Sequence, residues 1–534
     1  MELPKQTAPE AIEQAYMQKF QDRLPAGVSL DYCEAKFGDF ASNIALQLAP
    51  KLKKSPIEVA NMLVEAICTV EGIEKAEVAG PGFINITLTP DVWCSYADTF
   101  ANFGHQLKST PQKVQIEFIS ANPTGPLVLT NAWQGYYGDI LSNIYASQGY
   151  QVDREYYLND GGNQITALGE AIQQSLGKEF SPERAKELYR GDYVDAVAKI
   201  ITEEYGESGR VVATDPAIIG KRAAEIILDH YIKHDLERLG VHFDTIFSET
   251  IADTKETLAR LKEAGLLKEK EGAIWLNGKK IGLDKDEVLV RSYDKGETYF
   301  LKDIAYQLNR IEVRGFEKTI TIVGPDHHGQ AIRLIKTLEA LGHTGFNELS
   351  TQTIRLIKDG KEFKMSKRAG NYILLADFLE EVPTEAARFY FGMRDTNSHM
   401  DFDIDLVKDR SQKNPVYYAM YAYARACSLR VMANENNLGP AEHLNPSQLS
   451  APQRELLRQV SQIPEILHAV TQNHKVHLLL HATLEVARCY HEWYEQEKVV
   501  GSEDAAHKLA LLDRFCQVYE AIFTLLGVTL LEKM

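Results

Sequence analysis

Apolar positions along this chain change period from one stretch to the next, and each period predicts a different kind of element. Near the start the periods mix. Ser55-Pro56 reads as a helix start, with a capping serine and proline at the first helical position. Val59, Met62, Leu63, Ala66 and Ile67 then recur at the spacing of one helical face. Gly80-Pro81-Gly82 marks a turn, and Phe83-Ile84-Asn85-Ile86-Thr87-Leu88 alternates as a half-buried strand does. Residues 1–107 are expected to form a small α+β domain. The polar run Leu107-Lys108-Ser109-Thr110-Pro111 reads as a linker.

Residues 112–375 alternate strand and helix patterns, which predicts a parallel sheet with crossover helices. Val114-Gln115-Ile116-Glu117-Phe118-Ile119 is the first strand, followed by a Pro/Gly loop and a helix through Asp139, Leu141 and Ile144. Thr319-Ile320-Thr321-Ile322-Val323 is another strand, ending at Gly324. The 165–215 segment is charged and helix-prone, an insertion with no nameable site. From 376 to 534 the pattern is helical, with Val416, Met420, Ala424, Cys427 and Val431 on one apolar face and a loop-like stretch over 434–452. An all-α terminal domain is the simplest reading.

Composition narrows the classes. At 534 residues the chain predicts three or four domains. Its formal charge of −17 excludes a uniformly basic nucleic-acid binder but not an acidic enzyme with a local basic groove. Six scattered cysteines without a CxxC argue against a disulfide framework or zinc knuckle and suit a reducing compartment. The start, Met1-Glu2-Leu3-Pro4-Lys5, lacks the form of a signal peptide. No apolar run reaches the roughly 18 residues that span a bilayer. A soluble, cytoplasmic protein with no membrane partner is expected.

The candidate chemistry lies at predicted strand ends, where ligands collect in such folds. Lys361-Glu362-Phe363-Lys364-Met365-Ser366-Lys367-Arg368 follows a β-prone stretch and a turn at Asp359-Gly360. A basic loop there can follow charge as it moves onto a leaving pyrophosphate, and it is equally a solvated basic loop. Ser120-Ala121-Asn122-Pro123-Thr124-Gly125-Pro126-Leu127 presents backbone N–H groups and an amide at a helix start, although an ordinary turn is the commoner meaning. Gly324-Pro325-Asp326-His327-His328-Gly329-Gln330 offers Asp326 to ribose hydroxyls. Its adjacent histidines point differently and lack a third ligand, so no metal site is expected. His474, His477 and His481 have a spacing that permits one helical face, and a wet helix surface is favoured over a metal site. Tyr417, Tyr421 and Arg425 form a line on another helix, suited to packing or to stacking on unpaired bases.

With Tyr157-Leu158-Asn159-Asp160-Gly161-Gly162-Asn163-Gln164 and Asn414-Pro415-Val416-Tyr417-Tyr418, these motifs occur in an order and spacing that resembles a class I aminoacyl-tRNA synthetase, specifically an arginyl-tRNA synthetase. The resemblance covers nearly the whole chain. It implies a Rossmann-type catalytic domain over 112–375, an N-terminal additional domain over 1–107 that touches the tRNA elbow, and a helical stem and anticodon-binding domain over 376–534. It implies ligation of L-arginine to tRNA(Arg) through arginyl-adenylate, with ATP as Mg2+-ATP, no structural metal, and a monomer. The family usually binds tRNA before it activates arginine. Carried over by motif, Asn122, Glu249, Tyr299 and Asp303 would hold arginine. Carboxylates and an aromatic wall suit a planar five-donor cation. Pro123, Gly125, Thr130, Gly324, Asp326, His328, Met365 and Lys367 would line ATP. Lys364, Lys367 and Asn131 would serve catalysis, and Tyr417 and Arg425 would meet tRNA.

The family's H-x-G-H signature is altered here. Val128 stands at its first histidine, Thr130 at its glycine and Asn131 at its second histidine, and Trp133 replaces a usual arginine. Asn131 still donates a hydrogen bond, whereas Val128 donates none. A missing transition-state donor commonly costs about 3–4 kcal/mol. Thr130 puts a β-branched side chain where glycine lets adenine approach. Two functions follow, a working ligase with a divergent ATP loop and a non-catalytic tRNA-binding paralogue. The retained arginine set and lysine loop favour the first.

Overall fold

The computed structural model of the chain describes residues 4–20, 30–99, 111–292, 296–325, 331–363 and 373–534. Near the N-terminus, β1 (Leu30–Tyr32), β2 (Phe40–Ser42), β3 (Ile73–Ala79) and β4 (Phe83–Leu88) form an antiparallel sheet in the order β1-β2-β4-β3. Ile84, Ile86 and Leu88 face its core, as the alternation requires. The Pro56–Ile67 helix starts at Ser55, whose hydroxyl accepts from the Glu58 N–H while Glu58 reaches back to the Ser55 N–H. It buries Val59, Ala60, Leu63, Ala66 and Ile67.

The central sheet begins with β5 (Lys113–Glu117), β6 (Gln151–Leu158) and β7 (Thr245–Ser248). Between β6 and β7 runs the charged helical insertion. Its Gly162–Ser175 and Pro216–Ile227 helices touch backbone to backbone, because a Cβ on Gly169 or Gly220 would lie 1.8 Å from a carbonyl oxygen of the other helix. Next, β8 (Leu267–Lys270), β9 (Ala273–Leu276) and β10 (Glu287–Val290) make a small antiparallel sheet. Then β11 (Lys318–Val323) and β12 (Phe346–Ser350) return beside β5 and complete a parallel sheet in the order β12-β11-β5-β6-β7. The chain leaves β5 toward β6 on one side and returns to β11 on the other. That switch point opens a crevice at the carboxyl ends of the strands.

Helix Tyr299–Leu308 lies between two cores. Phe300, Leu301, Ile304 and Leu308 enter a separate cluster with the β8–β10 sheet and the Ala331–Ala340 helix. Its other face meets the parallel sheet.

A third sheet joins β13 (Ile354–Lys358), β14 (Lys361–Glu362) and β15 (Met400–Asp403) in the order β14-β13-β15. So one strand interrupts the segment read as helical from 376. Met400 and Phe402 are buried between outward Asp401 and Asp403, an alternation too short to stand out in the sequence. Beyond it the chain is helical. On the Pro415–Glu435 helix, Asn414 caps the Val416 N–H at 3.0 Å, and Val416, Met420 and Ala424 are buried. Val431 is half exposed, contrary to the single-face reading. The buried stripe passes instead to Leu429 and Ala433, because a step averaging above 3.6 residues walks round the helix.

The N-terminal sheet docks on this helical end. Arg454 pairs with Asp39 (3.1 Å) and Glu74 (2.9 Å) and donates to the Leu88 carbonyl. Arg514 reaches Asp98 at 2.6 Å, and Arg458 donates to the Cys33 carbonyl at 2.9 Å.

Candidate active site

At the end of β5 the backbone turns through Ile119 (φ 66°) and Ser120 (φ 40°). Two successive non-glycine residues in the left-handed region carry a cost of about 1–2 kcal/mol each. Side chains hold the turn. Ser120 Oγ donates to Glu117 Oε1 (3.0 Å) and accepts from the Tyr157 N–H (3.1 Å). The turn lays Ala121-Asn122-Pro123-Thr124-Gly125 across the strand ends. Tyr156 Oη donates to the Ala121 carbonyl (2.6 Å), and Asn122 Nδ2 donates to Gln164 Oε1 (2.7 Å). Tyr193 Oη, from the insertion, donates to the Thr124 carbonyl at 2.9 Å. The insertion therefore braces this loop, a role its charged composition did not announce.

The loop runs into the Leu129–Ser147 helix. Val128 N–H donates to Asn131 Oδ1 at 2.9 Å, so Asn131 caps the helix start. Only this half of a reciprocal capping pair exists, because valine has no acceptor. Asn131 Nδ2 contacts Gln134 Oε1 at 3.3 Å, and Gln134 lies beside Gly324 at the end of β11. Val128 bridges Leu374, flanked by bonds from the Leu129 N–H to the Ile373 carbonyl and from the Leu375 N–H to the Leu127 carbonyl. The altered signature is thus stitched to the chain leaving the lysine loop. Trp133 is fully buried against Phe391 and points into the core, away from the crevice. Thr130 stands half-buried at the mouth of this helix.

Beside this loop lies an acidic niche. Strand register places Glu348 (β12), Thr321 (β11), Glu117 (β5), Glu155 (β6) and Thr245 (β7) in one row on one face of the sheet. Helix Tyr299–Leu308 and the turn after it cover that row. Arg310, wholly buried, reaches Glu117 at 3.4 Å and Thr321 at 2.8 Å. Tyr306 Oη and Arg314 are bonded to Glu155. These partners offset the two central carboxylates. Burial still pushes the Glu117 carboxyl above its ordinary range.

Three further acids belong to this region, with Asp303 near both Glu249 and Glu348. Glu249 follows β7, and only 3% of its side chain is exposed. Lys302 Nζ lies 2.6 Å from Glu249 Oε1, but out of line for a hydrogen bond, so both carboxylate oxygens lack a hydrogen-bond partner. Asp303 is pushed up to about 7, first by burial and then by the charges of Glu117 and Glu249. Glu348 is also pushed up to about 7, by burial and then by Asp303 and Glu117. Tyr299, one helical turn before Asp303, is 53% exposed at the niche's edge. Tyr157 packs at a tilt against Tyr306, with ring centres 4.5 Å apart. Burial, with Glu249 and Asp303 nearby, keeps its hydroxyl protonated and a donor.

Asn122, Pro123, Gly125, Thr130, Asn131 and Gly324 therefore lie at or beside the carboxyl ends of β5 and β11, and Glu249, Tyr299 and Asp303 belong to the acidic cluster next to them. Asp326, His328, Lys364, Met365 and Lys367 lie outside the described residues, as do His327 and Gly329. Glu348, Lys302 and Tyr157 went unassigned in the sequence. Glu117 had a visible signal, a carboxylate inside an apolar strand. Glu348 had none, since its strand reads only half apolar.

Two remote features complete the inventory. Tyr417 stacks on Tyr421 (5.8 Å, 15°), and the Arg425 guanidinium sits between Tyr421 (4.6 Å) and Tyr494 (4.5 Å). His474 does not share a face with His477 and His481. It caps the Ile463–Asn473 helix in the left-handed conformation, and the next helix begins at His477. Among the described residues no group of three or more His, Cys, Asp and Glu side chains is placed to hold a metal. No described helix is long and apolar enough to cross a membrane.

Known proteins match the chain along its length. The family model for the arginyl tRNA synthetase N terminal domain matches residues 6–88. That for the class I (R) tRNA synthetase catalytic domain matches 100–403, and the DALR anticodon binding domain matches 419–534. An arginine–tRNA ligase of Oceanobacillus iheyensis is 34% identical over 96% of this chain and 95% of its own. One from Acetivibrio thermocellus is 37% identical over 94% and 92%. The crystal structure titled as a putative arginyl tRNA synthetase from Campylobacter jejuni superposes with a TM-score of 0.75 at 29% identity, covering 84% of this chain and all of that one. The Thermus thermophilus arginyl-tRNA synthetase shares the fold, with a TM-score of 0.74 at 18% identity over 98% and 99% of the two chains.

Proposed function

The chain belongs to the arginyl-tRNA synthetase family, and on that premise we propose that it charges tRNA(Arg) with arginine in the crevice at the carboxyl ends of β5, β7 and β11. The observation that carries this reading is the niche itself. Glu249 is buried with two unfilled acceptor oxygens, Asp303 stands near it with Glu348 on its other side, and Tyr299 forms an aromatic edge. A guanidinium brings five donors in a plane and a permanent charge, which is what such a niche lacks.

In this reading Glu249 and Asp303 receive the guanidinium and Tyr299 covers its face. Asn122, steadied by Gln164, meets the α-amino or carboxylate end. The arginine carboxylate oxygen then attacks the α-phosphorus of ATP. A new O–P bond forms, the bond to the β-phosphate oxygen breaks, and pyrophosphate leaves. Lys364 and Lys367 take up the charge that develops on it, with Met365 beside them. Pro123, Gly125, Thr130, Gly324, Asp326 and His328 line the nucleotide. Asn131 acts from the helix start, where backbone N–H groups favour anions. Magnesium arrives with ATP, held chiefly by phosphate oxygens and water. In the second step a hydroxyl of the terminal tRNA ribose attacks the arginyl carbonyl and AMP leaves.

Tyr417 and Arg425 are read as part of the anticodon-side contact, where aromatic and guanidinium planes serve unpaired bases. The domains are read as an elbow-binding unit over 1–107, a catalytic unit over 112–375 and a stem and anticodon unit over 376–534. Six free thiols suit a reducing compartment, and the enzyme is read as a cytoplasmic monomer. The test is direct. Purified protein with tRNA(Arg) and arginine exchanges labelled pyrophosphate into ATP and esterifies the tRNA. No exchange from a folded, tRNA-binding protein overturns the reading.

A further inference from the structure

Lys302 occupies the place a guanidinium would take. Its ammonium lies 2.6 Å from Glu249 and 5.7 Å from the centre of the Tyr299 ring, the carboxylate and the aromatic wall of the niche. The fit is incomplete. The approach to Glu249 is out of line, and both Glu249 oxygens keep unfilled acceptor capacity although the side chain is almost wholly buried. Asp303 lies near Glu249 and Glu348 lies near Asp303, and neither carboxyl has a hydrogen bond or ion pair with any described residue. Lys302 balances charge here without filling the hydrogen bonds. Its side chain is 27% exposed and carried on a flexible four-carbon stem, so a path to water is open.

We propose that Lys302 is the resident cation of the guanidinium niche: it holds Glu249 while no amino acid is bound, and arginine enters by displacing the Lys302 ammonium. The inference rests on the reading of Glu249, Tyr299 and Asp303 as the arginine side-chain pocket, and it adds a source of specificity. An incoming lysine would replace one ammonium with another and gain no hydrogen bond over Lys302. An incoming arginine replaces a point charge with a planar fork that both Glu249 oxygens can accept. Lys302 thus sets a threshold that arginine clears and lysine does not. An uncompensated buried carboxylate is costly, so the same lysine steadies the ligand-free protein.

The experiment measures L-arginine and L-lysine binding to the full chain by calorimetry, with melting curves, for wild type, K302M and K302R. K302M is expected to bind arginine about tenfold tighter, by removing the competing charge. Its preference for arginine over lysine should narrow. Its ligand-free melting temperature should fall, with the deficit closing at saturating arginine. K302R puts a better-fitting cation on Glu249 and should bind arginine more weakly than wild type. K302Q, of similar length, replaces K302M if the latter does not fold. Equal or weaker arginine binding by the folded neutral variant, or tighter binding by K302R, overturns the proposal. Wild type that binds no arginine overturns the pocket assignment instead.

Discussion

Asp303 and Glu348 are carboxyl groups poised near neutrality by position. Burial penalises their charged forms, and Glu117 adds a like charge to both. Glu249 also raises Asp303, while Lys302 and Arg333 act the other way. Both groups sit at about 7, above the ordinary carboxylate range. Ligand-free protein therefore binds more protons than the unfolded chain from the ordinary carboxylate range up to about 7. Its stability falls as pH rises through that window. On the pocket reading proposed above, arginine meets the ionised forms, so its binding opposes that loss and releases protons. The KM for arginine should fall as pH rises from about 6 to 8, by at most about tenfold per pH unit for each group. Glu348→Gln should flatten part of that slope. Calorimetry in buffers of different ionisation enthalpy reads the proton release directly, and a flat profile with no release would exclude this account. The residues differ in how visible they were. Asn122, Glu249, Tyr299 and Asp303 stood in recognisable strings. Glu348 became a neighbour of Asp303 only through register across β11 and β12. Lys302 was in plain view beside Asp303, but nothing in the string shows that its ammonium turns to Glu249.

At the scale of elements, the helix start at Val128 carries the departure from the family signature. Asn131 spends its acceptor on the Val128 N–H, and Leu129 is tied to the Ile373 carbonyl. The structure thus gives Asn131 a capping role that the sequence did not show. Asn131 is a cap whose loss would cost about 1 kcal/mol of helix stability. Val128 and Thr130 are the positions where a donor and a glycine are missing. The double variant Val128→His, Thr130→Gly, with Asn131 left in place, should raise the rate of arginyl-adenylate formation by up to about 10²-fold, the worth of one recovered donor. Its melting temperature should change little. Single-turnover adenylate formation checks this, and an unchanged rate would mean that another group in the crevice already supplies the donor. Most elements were legible for local reasons, among them the Ser55 cap, the alternation of 83–88 and the run into β5. β15 was not, since a strand of this length gains its identity only from pairing with β13. The three-histidine face failed similarly. His474 ends one helix before His477 begins another, a break that spacing alone does not reveal.

Across the whole molecule, the N-terminal sheet and the helical end meet through residues hundreds of positions apart. No periodicity foretells such a contact, and the docking was absent from the sequence reading for that reason. Arg454 is its centre. One guanidinium spans Asp39, Glu74 and the Leu88 carbonyl, and Asp39 in turn accepts the Leu88 N–H at 2.7 Å. Asp39 is 4% exposed, and burial raises its carboxyl above the usual range even with Arg454 beside it. Removing the arginine leaves that carboxylate buried and unpaired, a cost of about 3–5 kcal/mol where it stays ionised. Protonation or undocking relieves it, and undocking also severs the Arg458 and Arg514 contacts. Arg454→Met should therefore free the N-terminal unit before the catalytic sheet unfolds. Limited proteolysis should cut the segment joining the two units faster, and small-angle scattering should report a larger radius. The niche lies on other elements, so the KM for arginine should hold while the KM for tRNA rises, because the elbow and anticodon contacts proposed above would no longer be presented at a fixed separation. A variant whose tRNA KM is unchanged despite faster cleavage would show that the two units bind tRNA independently. A variant whose arginine KM shifts as well would show that the docking contact reaches the crevice.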